Sequence, residues 1–338
     1  MGASSPGMSH ASGVSGMRAC CIALLAAVAS LHTGFAYTQL ALRGPMHILV
    51  GFAAGGSSDV AARLLAEKLK DTLGVAVIVD DKVGAGGRIA AEALKNAPAD
   101  GTTFMLAPVV VPVLAPLVFK QLSYDPAKDF TPVAQVGTYQ FALAVGPANP
   151  ARTVPEFVAW VKAHPAQANF GSPAPGSLPH FFGLMVGEAT GIELVHIAYK
   201  GGAPLATDLM GGQIPAGVDA LSDMIELHRA GKIRIIATSG AQRSPLLPDI
   251  ATFREQGFPA IEGSGWIGVY APAKTPPAIV MQVSSAIAAA LKGPELRERM
   301  QNLGYEPTGT TPDELAWIMA ADAARWRPII KASGFSAD

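Results

Sequence analysis

Cysteine is almost missing from this chain: among 338 residues only Cys20 and Cys21 carry a thiol, and both sit near the N-terminus. Beyond them, thiol catalysis, cysteine metal sites and disulfide staples are excluded, so folding must rest on buried apolar surface, which this length can supply. Charge is scarce too. Charged residues make up 15%, and Lys+Arg at 25 nearly cancel Asp+Glu at 26, leaving −1. A nucleic-acid binder would show a basic excess, so no such partner is expected. The usual catalytic signatures are also missing: there is no Gly-x-Ser-x-Gly elbow, no His-Glu-x-x-His, and no Lys-Ser or Lys-Thr after a glycine loop. His47, His164, His180, His196 and His228 are scattered, so neither a metal nor a cofactor is expected.

What the chain does have is apolar bulk. Hydrophobic residues reach 50%, which argues against disorder, while 36 Gly and 27 Pro imply many turns. The length suggests about two domains. Near the N-terminus, Arg18 precedes an apolar run from Cys21 to Leu31, and Gly34-Phe35-Ala36 offers small residues for cleavage after Ala36. This reads as a secretory signal peptide over residues 1–36, with Met8 or Met17 as alternative starts. An uncleaved anchor is the other reading, whereas a lipoprotein would need its cysteine after the apolar run. The expected location is the periplasm. A second uncharged stretch, Gly101 to Phe119, is broken by Pro108, Pro112 and Pro116, which predicts a strand to Ala107 and then an irregular segment.

From Met46 the order is strand, Gly-rich loop, helix. Met46 to Val50 is a buried-strand run, and Val60, Leu64, Leu65, Leu69 and Leu73 recur at helical spacing up to a Gly74 cap. Strands at 75–79 and 102–107 around a helix from Arg88 complete a β-α-β-α-β unit, which predicts a parallel sheet with helices on its faces. The middle of the chain repeats the logic: strands near 141–145, up to 171, and at 195–199, 216–220 and 233–237 alternate with helices. Thr153/Glu156 and Thr311/Glu314 read as capping boxes, and Ser222 as a helix cap. After Gly265 one strand leads into three helices, so the chain returns to the first domain. The expected division is residues 45–138 plus 262–338 for one domain and 139–261, inserted, for the other.

The most informative segment is Gly51-Phe52-Ala53-Ala54-Gly55-Gly56-Ser57-Ser58-Asp59, between strand and helix. Glycines there let a ligand approach backbone N–H groups, and the helix dipole favours an anion. The plain alternative is a tight turn capped by Ser57 or Ser58. Gly84-Ala85-Gly86-Gly87 lacks dinucleotide spacing and is a second anion-friendly turn or only a turn. Asn169 to Ser177 ends a strand of the second unit with hydroxyls and N–H groups that could meet the first loop across a gap, as in a two-domain clamp. Asp80-Asp81 reads as a solvated pair.

These segments, together with Tyr124-Asp125-Pro126-Ala127-Lys128-Asp129-Phe130, Tyr199-Lys200-Gly201-Gly202-Ala203-Pro204 and Gly211-Gly212-Gln213, resemble the Bug receptors, periplasmic substrate-binding proteins of tripartite tricarboxylate transporters. The resemblance runs from about Pro45 to the C-terminus. It implies a two-domain type II periplasmic-binding-protein (Venus flytrap) fold of the α/β class, a monomer, no catalysis, a small carboxylate ligand, and a membrane permease as partner. It maps ligand contacts onto Phe52, Ala53, Ala54, Gly55, Gly56, Ser57 and Ser58, onto Ala107, onto Ser172, Gly176, Ser177 and His180, and onto Asp219. The sequence departs from the family where Ala53 and Ala54 replace two usual prolines, where Ala107-Pro108 replaces a Gly-Thr-like pair, and at Pro215, where an acid is common. Two rival expectations are a receptor that presents its ligand to a sensor, and a hydrolase using Ser57, Ser172 or Ser177 near His180.

Overall fold

Apolar side chains on alternate residues decide which face each strand buries. In β1 (Met46–Val50), Met46, Ile48 and Val50 meet Leu65 and Leu69 of α1 (Ser57–Leu73), while Leu49 turns to the opposite face with Met105. The computed structural model describes residues 1–5, 7 and 44–337. The apolar run, the two cysteines and the cleavage point of the expected signal peptide lie outside the described residues. Among the described residues, no helix is long and apolar enough to cross a membrane.

The first sheet has the order β11-β4-β10-β3-β1-β2. It uses β1, β2 (Val77–Asp81), β3 (Thr103–Pro108), β4 (Phe130–Tyr139), β10 (Gly265–Pro272) and β11 (Glu306–Pro307). The second has the order β7-β6-β8-β5-β9, from β5 (Phe141–Val145), β6 (Asn169–Ser172), β7 (Val195–Ala198), β8 (Ala216–Ala220) and β9 (Arg234–Thr238). Helices cover both sheets: α2 (Arg88–Lys95), α3 (Ala115–Val118) and α4 (Pro126–Asp129), then α5 (Val154–Ala163), α6 (Leu178–Thr190), α7 (Gly202–Met210) and α8 (Leu221–Arg229), and finally α9 (Pro277–Lys292), α10 (Pro294–Asn302) and α11 (Pro312–Ser333).

Both sheets are mixed. β1 runs parallel to β2 and β3, but β10 is antiparallel to β3 and β4; β5 is antiparallel to β8 and β9. The cause is the crossing of the chain. β4 ends at Tyr139 and β5 starts two residues later, so β5 enters the second sheet at the edge where its neighbours end, and it must run against them. β10 re-enters the first sheet the same way.

Local differences from the sequence reading have local causes. The second strand starts at Val77 rather than Val75, because Gly74 caps α1 in the left-handed region and Val77 is the residue that pairs with Met46. The proline-rich stretch is more regular than expected: Val113 and Leu114 both donate back to the Val109 carbonyl in a π-turn over Val110–Leu114, and Pro116 opens α3, where no N–H is needed. Ser222 is not a cap. α8 begins at Leu221, whose N–H bonds the Gln140 carbonyl of the crossing segment. The Thr311/Glu314 capping box is complete, whereas Glu156 turns its carboxylate to the Arg152 N–H instead.

One apolar core joins residues of both sheets. Trp326 of α11, fully buried, meets Phe182 at 5.3 Å and Phe181 at 6.4 Å, both on α6, which packs on the second sheet. Trp326→Ala should therefore cost about 3–5 kcal/mol in urea unfolding. Trp317→Ala, on the same helix but 72% exposed, should stay within about 0.5 kcal/mol. Equal effects would mean that the shared core does not bear on stability.

Candidate functional site

The first loop is set by a backbone-to-backbone contact. A Cβ on Gly51 would lie 2.5 Å from the Gly87 Cα, and one on Gly87 would strike Val111 and the Phe52 ring. Two glycines thus bring the 84–87 turn against the end of β1 and seat Phe52 between them. The turn over Ala53–Gly56 closes with Gly56 N–H donating to the Ala53 carbonyl at 3.1 Å, with Gly55 at φ +80°. Gly56 caps α1 without any side chain, so neither serine serves as the cap. The N–H groups of Ser57, Ser58 and Asp59 have no acceptor among the described residues. Ala53, Ala54, Gly55, Gly56 and Ser57 are exposed, and Ser58 is buried.

Asp59, which the sequence reading includes in the loop motif without a role, completes this loop. Its Oδ2 accepts the Gly55 N–H at 2.8 Å, and Arg63 Nε lies 2.8 Å from its Oδ1. Burial alone would raise its pKa, but Arg63 and the Gly55 N–H outweigh it and hold the carboxyl below the usual range. Arg63 also reaches Asp81 at 3.0 Å. The signal was legible: an acid three residues past a glycine pair, with Arg four residues later.

Ala107 is almost fully buried in the core at the end of β3, paired with Gly268, so its side chain offers a ligand nothing. The second-lobe loop is held by its own partners. Ser172 Oγ lies 2.7 Å from His196 Nε2 and 3.2 Å from the Ala174 carbonyl. Ser177 donates to the same carbonyl at 2.6 Å and caps α6 by accepting the His180 N–H. Gly176 N–H donates to His180 Nδ1 at 3.1 Å. The His180 ring stacks on His196 at 3.8 Å, with Phe335 edge-on at 5.5 Å. Burial lowers the pKa of His180, and burial, with the titrating ring of His180 stacked beside it, lowers that of His196 to about 4, so the His196 ring is neutral at pH 7. Ser172 meets His196, not His180.

Asp219, at the end of β8, takes the Ala220 N–H on Oδ1 at 2.8 Å and turns Oδ2 toward Gly202, where a Cβ would approach within 2.9 Å. Burial first, then the neighbouring Asp223, pushes its pKa up to about 7. Asp223 reaches solvent from the first turn of α8, yet the protein packed around its carboxyl raises it too. The lobes meet beside these acids. Gly304, at φ +83°, lies against Ser222, and the adjacent Tyr305 phenol sits beside the hydroxyls of Ser57 and Ser58 and within electrostatic reach of Asp223. Tyr139 feels both acids. The structure thus links the start of α1 to the Asp219 region through Tyr305 and Tyr139, which sequence reasoning missed. The loop of Ser172, Gly176, Ser177 and His180 lies on the second sheet's side of these acids: the Pro173 carbonyl accepts the Gly201 N–H at 2.8 Å, next to Gly202 and Asp219, and Gly176 packs against Phe335 of the C-terminal segment. A cavity of about 690 Å³ between the lobes is lined by none of the expected site residues. No group of acids and histidines able to hold a metal is present among the described residues.

Residues 61–335 match the tripartite tricarboxylate transporter family receptor. The chain belongs to this receptor family. BugT of Bordetella pertussis is 32% identical over 291 residues, 86% of this chain and 89% of that protein. Among solved structures, R. palustris Rpa4515 with adipate is 32% identical with a TM-score of 0.77, over 87% of this chain and 98% of the other. MatC from Rhodopseudomonas palustris with bound malate is 28% identical with a TM-score of 0.72, over 85% and 99%. The periplasmic binding protein BugD is 32% identical with a TM-score of 0.73, over 87% and 99%. The family is one of solute receptors, and its fold is the two-lobed α/β architecture of periplasmic binding proteins.

For this receptor the state of Asp219 sets a pH dependence. Its folded pKa lies above the unfolded value, so its contribution to stability is intact below about pH 4 and is lost as pH rises through about 7. Asp219→Asn removes that loss. Relative to the parent, the variant should gain stability between pH 4 and 7, by roughly 3–4 kcal/mol at most, in urea unfolding at each pH. A difference that stays flat across this window would show that Asp219 is ionised throughout.

Proposed function

We propose that this chain is a periplasmic receptor that captures a small carboxylated solute between its lobes and delivers it to the membrane permease of a tripartite transporter. The observation that carries the reading is the start of α1, where the N–H groups of Ser57, Ser58 and Asp59 have no acceptor among the described residues and follow the exposed small residues Ala53 to Gly56. Neither segment 52–58 nor 172–177 contains Lys or Arg, so a carboxylate there is held by N–H dipoles and hydroxyls rather than by an arginine clamp. Rpa4515 with adipate and MatC with bound malate carry small dicarboxylates, which supports the same class.

The lobes in this reading are residues 45–138 with 262–338, and 139–261, and the working form is a monomer that starts after Ala36. It closes by a hinge motion at the crossing segments, driven by contacts that the ligand makes only in the closed state. Ser57, Ser58 and Asp219 form the cleft, and Ser172, Gly176, Ser177 and His180 shape the far wall. No chemistry on the ligand is proposed. Ser172 is fully buried, and its neighbour His196 has lost most of its basicity, so neither is placed to attack a bound solute.

Thermal unfolding of the chain from residue 37 against small carboxylates and their neutral amides tests this. A ligand at about 100 times its Kd should add about 2.7 kcal/mol. Stabilisation by an acid and none by its amide is the expected result, weakened when Asp59→Ala removes the carboxylate that holds the Gly55 N–H. Stabilisation by neutral compounds only would overturn the carboxylate reading.

A further inference from the structure

The 690 Å³ cavity adjoins the candidate cleft across Tyr305 and is lined by none of the expected site residues. Its floor is the crossing segments, with Thr138, Tyr139 and Gln140 on one and Ser264 on the other. One wall is the loop after β9, from Gly240 to Leu246, and the other is the end of α10 with Gly304, Tyr305 and Glu306. The walls therefore belong to different lobes. Tyr305 is the partition, with one side toward Ser57 and Ser58 and the other toward this cavity.

The charges around it are already spent. Arg243 Nε meets both carboxylate oxygens of Glu255, at 3.0 and 2.9 Å, and its Nη1 donates to the Pro248 carbonyl. Glu306 is held by Arg297 and Gln301. Glu298 has no ion-pair partner among the described residues, so the balance repels an anion. What is left is amide. The side chains of Gln242 and Asn302 have no hydrogen-bond partner among the described residues, and Gln140, which donates to the Gln242 carbonyl at 3.0 Å, keeps a buried Oε1 that no donor meets. The exposed amides of Gln242 and Asn302 each offer a donor and an acceptor side by side, which matches the paired donor and acceptor of vicinal hydroxyls. Two tyrosine rings complete the lining, and the volume lies in the range of small-molecule sites.

We propose that this hinge-side cavity is a second binding site, for a small uncharged polyhydroxylated solute of saccharide size. It is independent of which carboxylate the cleft takes. The test uses the full chain with 13C-labelled Leu methyl groups, because Leu221 and Leu246 both line the cavity. The probes are D-glucose and trehalose, with succinate as the anion and choline as the cation, each titrated to about 100 mM. Saturable shifts of the two leucines with a saccharide are expected. Asn302→Ala and Gln242→Ala, both exposed positions, should raise the apparent Kd at least tenfold together, and Ala241→Trp should abolish binding by filling the space. The Asn302→Ala and Gln242→Ala variants keep the test valid if the tryptophan variant fails to fold. No saturable shift with either saccharide, a shift unchanged in the variants, or saturation by succinate or choline alone would overturn the proposal.

Discussion

The chain crosses between its two sheets only in extended segments, and it does so at the edge where the parallel strands of both sheets end. That constraint reverses β5 and β10 against their neighbours. It also brings the C-terminal ends of β1 and β8 to the boundary between lobes, with the N-termini of α1 and α8 beside them. In open α/β sheets the carboxyl ends of strands are where ligands bind, because the following helix starts leave N–H groups unpaired there. The site thus follows from the path of the backbone before any side chain is considered.

Electrostatics at this boundary runs opposite to a salt-bridge clamp. The acids near the first loop and the second lobe outnumber the bases, yet two of them are restrained in different ways. Asp59 is ionised but covered by Arg63 and by the Gly55 N–H. Asp219 is buried and holds its proton up to about pH 7, so it adds less than a full negative charge at neutral pH. With those charges muted, the unpaired N–H groups at the start of α1 favour an anion at the loop. In the proposed receptor an anion can therefore be accepted without a basic residue.

Much of the frame was legible in the sequence, because strand and helix periods, the Gly74 cap and the Thr311 box are local signals that the sheets then use. The direction of β5 and β10 was not, since it depends on where the chain crosses rather than on any residue pattern. The loop 52–58 was readable from its glycines. Its supports were not: the Gly51 and Gly87 contact joins positions 36 apart, and Tyr139 and Tyr305 reach the start of α1 only through the packing of the two lobes. His180 shows the limit most clearly. A histidine opening a helix after a Gly/Pro loop reads as a ligand or a base, but a second ring, His196, sixteen residues away lies under it and turns it into a support.

The two lobes are consequently unequal partners. Lobe one presents unpaired N–H groups, while the hydroxyls and imidazoles of the loop at Ser172 are engaged with one another and with Phe335. A group already paired gains little by exchanging its partner for a ligand, whereas an unpaired donor gains a full hydrogen bond. In the proposed receptor the solute is therefore held first by lobe one, and lobe two contributes shape and the proton state of Asp219. Discrimination among acids then falls to the second lobe, where one carboxyl titrating near neutrality separates solutes that can donate a hydrogen bond to it from those that cannot.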